Sequence, residues 1–147
     1  MKRLLEMVSS ISPFQVNEQS VVVSAPQVIE KGGNTLVNID GRLDNGKYGN
    51  FPFRYNRFDL SSLSQRVISL GNATQVVDLL DQLNLTPIFT YKLGYGGGAI
   101  PRQAKLLAAD IVNEPIALST GATLEYGLRA SPGSYLYQGT LKLLLRA

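Results

Sequence analysis

A strand-rich α+β fold, with a mostly antiparallel sheet or small β-sandwich, is predicted by three features of this 147-residue sequence. Short β-branched or alternating segments recur along it, Gly/Asn-rich turns separate them, and one segment, about residues 73–84, carries a clear helical period. One or two shorter helices complete the expected set.

Leu4, Leu5, Val8 and Ile11 recur at helical spacing, so a short amphipathic helix is expected over residues 3–11, ended by Pro13. Its apolar face needs cover from the chain's own core or from a neighbouring subunit. Gln19–Ser24 reads as a strand closed by Pro26, and Thr35–Asp40 as the next, after the Lys31-Gly32-Gly33-Asn34 turn. The turn Asp44–Asn50 holds the tight-turn dipeptide Asn45-Gly46, and the three flanking strands predict an antiparallel meander. Residues 1–33 are expected to form an assembly arm, and residues 34–147 one compact domain.

Phe51–Leu60 concentrates four aromatics, two arginines and an acid. Its apolar side changes phase near Asn56. A two-residue period cannot do that without a bulge, bend or strand end, so a kink is expected there. Arg57 and Asp59 would pin the exit, by an ion pair or by bonds to nearby backbone.

Gln65–Leu70 is a short strand candidate. Val76, Val77, Leu79, Leu80 and Leu83 then share a helix face, with Asn72 or Thr74 as cap and Gln75 at capping-box spacing from Asn72. Pro87–Leu93 is strand-like, and Gly94–Pro101 is expected to be a flexible loop suited to contacts with a neighbour. Its glycines lack both phosphate-loop spacings. Gln103–Ile111 has helix-compatible spacing. Thr123–Ala130 alternates as a half-buried strand, with Leu124, Tyr126 and Leu128 inward. The final strand, Tyr135–Leu145, has a candidate bulge at Gln138-Gly139 and an end so apolar that it must be central, covered, or paired with another chain.

The chain has no cysteine and no histidine. Thiolate sites, disulfides and every Ser-His-Asp or Cys-His arrangement are therefore absent, and the commonest zinc ligand and general base with them. No enzymatic activity, metal or cofactor is expected. The acids are dispersed: Asp78 and Asp81 suit a solvated helix face, and Asp40 and Asp44 lack the rest of a calcium loop. A net charge of +3, spread along the chain, is no nucleic-acid signature. Glu6 interrupts the basic N-terminal run before any signal-peptide core, and no stretch approaches membrane-span length, so a soluble protein without a cleaved signal is expected.

Asn34-Thr35-Leu36-Val37 followed by Tyr55-Asn56-Arg57-Phe58-Asp59-Leu60, a YNRxDL-type run, resembles a small domain of virion proteins in large tailed bacteriophages. The later order Val76–Asn84, Ala109-Asp110-Ile111-Val112 and Ser134–Gly139 is also similar, so the resemblance spans roughly residues 34–145. It implies a structural virion component, of tail, neck or baseplate rather than capsid shell, assembled in the host cytoplasm and contacting copies of itself and other virion proteins. Tyr55, Asn56, Arg57, Asp59 and Leu60 would then be structural. Leu4, Leu5, Val8, Tyr95, Gly96, Gly97, Gly98, Leu143 and Leu145 are the candidate contacts, by helix docking, loop ordering and strand addition. The alternative is a carbohydrate- or surface-binding β-domain using Tyr48, Tyr91 and Tyr95 as stacking platforms.

Overall fold

The computed structural model describes residues 3–5, 19, 21–42, 48–85, 88–92, 99–103 and 105–147. Its fold is β-rich, with mostly antiparallel pairing and, among the described residues, only short helical turns. The chain forms two compact units, one of Met1–Arg57 with Ile88–Gln103, the other of Phe58–Pro87 with Ala104–Ala147.

The first unit is organised by β3 (Thr35–Arg42), whose alternation sends Thr35, Val37 and Ile39 to a fully buried face. β4 (Tyr48–Tyr55) pairs antiparallel along its whole length, from Thr35 opposite Tyr55 to Arg42 opposite Tyr48. The other side of β3 carries β1 (Val21–Val23) and β2 (Gln27–Val28), separated where Pro26 interrupts the edge. At that interruption Asn38 N donates to Ser24 Oγ at 2.9 Å, so a hydroxyl replaces a backbone acceptor. The expected meander is therefore present. Because β1 and β2 belong to the same sheet as β3, residues 21–28 are part of this unit rather than a separate arm. A hairpin of β7 (Ile88–Lys92) and β8 (Ala99–Gln103) completes the unit. Ala99–Pro101, expected to end the glycine loop, is strand.

The second unit is built on β11 (Thr140–Arg146). It lies between β9 (Thr123–Arg129), antiparallel, and β6 (Arg66–Ser69), parallel. Leu141, Leu143 and Leu145 are fully buried, while Lys142 and Arg146 are exposed. Of the three solutions open to so apolar a strand, the chain uses the central one. The expected last strand is divided: β10 (Tyr137–Gln138) pairs in parallel with β5 (Phe58–Asp59), and Gly139, at φ +80°, separates it from β11. Two parallel pairings in a mostly antiparallel protein follow from long connections, since both partners of each pair lie far apart in sequence.

The helix expected over 73–84 is shorter than its apolar period suggested. A 3-10 turn, Val76–Leu79, runs into a single α-turn, Leu80–Leu83, with Val76, Leu79 and Leu83 buried. Its start is fixed by Asp78, whose carboxylate accepts from the backbone N–H of Thr74 and Gln75, both at 3.0 Å; Asn72 is not the cap. These bonds hold the exposed Asp78 carboxyl below its ordinary pKa. Asn84 ends the turn in the left-handed region. The helix expected over Gln103–Ile111 is likewise only a 3-10 turn, Ala108–Asp110, because β8 extends to Gln103 and Asp110 folds back to accept from Leu107 N.

Candidate functional site

The YNRxDL-type run is broken where its period changes: β4 ends at Tyr55, β5 begins at Phe58, and the chain passes between units after Arg57. On the Arg57 side, Asn34 acts as a side-chain extension of the β3–β4 ladder. Its Oδ1 accepts from Arg57 N at 2.8 Å, and its Nδ2 donates to Arg57 O at 3.0 Å. Only a short carboxamide offers both roles at this reach; aspartate has no donor and glutamine is one carbon longer. Asn34 N in turn donates to Tyr55 O and to Asn56 Oδ1.

Thr35 joins the two halves of this clasp. Its hydroxyl donates to Asn34 Oδ1 at 2.6 Å and accepts from Arg57 Nε at 2.9 Å. Arg57 is only 7% exposed, and burial pulls its guanidinium below the ordinary pKa. An arginine stays charged at any physiological pH, so the hydroxyl acceptor offsets a real desolvation cost. Tyr55 is buried beside the clasp, its ring stacked on Phe53 at 5.4 Å. Gly33 permits the approach, since a Cβ there would lie 2.6 Å from Tyr55 O.

On the other side, Asp59 caps the 3-10 turn Leu60–Ser62 by accepting from Ser61 N at 2.9 Å, and Leu60 is fully buried. Ser61 Oγ accepts from Thr140 N. A Cβ at Gly139 would collide with Asp59 Oδ1, so this corner also depends on a glycine. Phe58 N donates to Leu136 O at 2.8 Å, and its ring meets Tyr137 edge-on at 6.1 Å. Arg57 and Asp59 thus each pin a different segment: Arg57 through Thr35, Asp59 through Ser61.

Sequence reasoning missed a third group. Ser134 Oγ donates to Asp110 Oδ1 at 2.9 Å and accepts from the backbone N–H of Leu136 and Tyr137; both side chains are buried. Through these bonds the Ser134 hydroxyl ties Asp110 to the turn that leads into Leu136 and Tyr137. The signal was the Ser131–Ser134 turn preceding a strand, which marks a bend but not its distant acid partner.

Around β9, Tyr126 donates its hydroxyl to Glu114 Oε1, and Arg129 Nη2 lies 3.8 Å from the same oxygen. Burial, then the Glu114 bond and charge, push the Tyr126 pKa up to about 12, with Arg129 opposing. A folded-state pKa above the unfolded value means this contribution to stability is complete below about pH 10 and lost as pH rises through about 12. In an alkaline titration followed by tyrosinate absorbance, Tyr126 should ionise late, and burial raises Tyr135 as well. In Glu114→Gln the Tyr126 pKa should fall but stay above the ordinary value, because burial, the largest cause, remains. No change on that substitution would remove Glu114 as a cause.

The expected contact residues divide in two. Leu143 and Leu145 are fully buried in the centre of a sheet, so they are core and not contact surface. Leu4 and Leu5, in the helical residues 3–5, are also buried, so of the two covers open to them the chain itself supplies one and they are not open contact surface. Val8, Tyr95, Gly96, Gly97 and Gly98 lie outside the described residues, as do the side chains of Tyr48 and Tyr91. A surface depression of about 350 Å³ lies over Gly127, between Gln65, Glu125 and Lys142. Among the described residues no cluster of three or more potential metal-ligating side chains occurs, and no helix is long and apolar enough to cross a membrane.

A family model described as "Family of unknown function (DUF7941)" matches residues 5–147. The chain belongs to this family. The family match begins well before residue 34, so the N-terminal strands fall within it, in keeping with their place beside β3. No curated protein and no solved structure matches the chain.

Proposed function

We propose that this protein is a non-enzymatic structural component of a tailed-phage virion, of tail, neck or baseplate rather than capsid shell, acting by contacts with other virion proteins and with copies of itself. The sequence resemblance suggests the class. One structural observation supports it: the polar residues that carry the resemblance bond to the chain's own backbone and to one another. Asn34 and Thr35 hold Arg57, Asp59 caps its turn, and Asp110 holds Ser134. A motif devoted to chain geometry suits a subunit whose task is to present a fixed surface repeatedly.

The test is its presence in particles. Mass spectrometry of purified virions, with labelled antibody and electron microscopy to locate the protein, should find it at fixed stoichiometry in a tail or neck assembly. Its absence from mature particles would refute the proposal, and so would a position within the shell.

A further inference from the structure

We infer that the open edge of β9, from Thr123 to Gly127, is a self-association surface to which the same strand of a second copy adds antiparallel, about a two-fold axis at Leu124. The backbone bonds establish which groups are open. Ala130 N donates to Gly139 O and Ala147 N to Ala122 O, so the even-numbered residues of β9 face β11 through their main chain. Thr123, Glu125, Gly127 and Arg129 therefore aim their N–H and C=O groups at the opposite edge.

That edge already accepts a strand at one end. Val112 N donates to Arg129 O at 2.9 Å and Ser131 N to Asp110 O at 2.7 Å, so residues 110–112 begin a fourth strand. The chain then leaves, because Asn113 is drawn to Gln75 and Val77 and Glu114 O accepts from Val76 N. From Thr123 to Gly127 the outward main-chain groups have no partner among the described residues. The opposite edge of the same sheet is guarded, since Ser69 O on β6 accepts from Gln82 Nε2 at 2.6 Å. β9 has no proline between Thr123 and Arg129 and carries Leu124, 40% exposed.

Charge and register select a second copy as the occupant. With the axis at Leu124, Thr123 lies opposite Glu125 of the second copy and the reverse, giving about four main-chain bonds, and the two Leu124 side chains meet. Arg146 neighbours Thr123 on β11, on the same face. Glu125 of the second copy then lies two strands from Arg146, about 10 Å between Cα atoms, which these long side chains span over the small threonine. Two symmetric Glu–Arg pairs result. This register also stops short of Arg129, where residues 110–112 occupy the edge.

This contact deepens the assembly reading, but it is tested on purified protein alone, so its failure and that of the virion role are distinguishable. Sedimentation velocity over a concentration series should show a monomer–dimer equilibrium. Glu125→Lys should weaken it about tenfold, and Glu125→Lys with Arg146→Glu should restore it. Glu125→Pro removes an outward N–H without touching the β11 ladder and should leave a folded monomer by circular dichroism. Hydrogen exchange should show the Thr123 and Glu125 amides gaining protection with concentration. A wild-type monomer at millimolar concentration, a dimer unaffected by Glu125→Pro, or no rescue by the charge exchange would overturn the inference.

Discussion

Replacing Gly33 by alanine is expected to destabilise the protein by about 3 kcal/mol or more, a large part of the stability of an ordinary domain. Two independent costs add. Gly33 sits at φ +122°, a conformation that side chains disfavour, and the new Cβ would lie 2.6 Å from Tyr55 O and 3.0 Å from its carbonyl carbon. The obstacle is backbone, so no rotamer relieves it, and separating the strands would pull Asn34 away from Arg57. Gly71→Ala is the control: its φ is +52° but nothing lies within 4 Å of its Cβ, so only the conformational cost of about 1 kcal/mol applies. Urea midpoints at unchanged m should separate the two variants clearly. Equal, small effects would show that the Gly33–Tyr55 approach is not a constraint on the fold.

The same pair of glycines explains what was legible in the sequence. The positive-φ turn at Lys31–Asn34 could be read from its composition. The identity of the backbone against it could not, because that depends on a pairing between residues 22 positions apart. The phase change in Phe51–Leu60 correctly located a break at Asn56, since period-two alternation is a local property. Asn34's role as a surrogate peptide group was not legible, because a carboxamide before a strand looks like any other turn residue. Helix length was overestimated for a related reason. The apolar spacing of Val76–Leu83 is satisfied equally by a 3-10 turn plus one α-turn, and the bonds of Asp78 to Thr74 and Gln75 decide where winding begins. In β11 the composition could require cover but could not say whether β6, β9 or another chain supplied it.

That ambiguity is resolved by burial, and its consequence is the second large effect. Leu143→Ala is expected to cost about 3–4 kcal/mol, the transfer loss of a fully buried side chain plus the cavity left between β6 and β9. Leu144→Ala, on the half-buried opposite face one residue along, should cost roughly 1 kcal/mol. This ordering discriminates core from contact surface, because a residue that serves assembly would reverse it: its truncation would spare the isolated subunit and weaken association. Chemical denaturation of the isolated protein should place Leu143→Ala well below Leu144→Ala, with its self-association reduced only in proportion to the unfolded fraction. A stable Leu143→Ala monomer that no longer associates would return β11 to the surface. The strand-addition role would then move from β9, where the main chain is open, to the strand whose composition first suggested it.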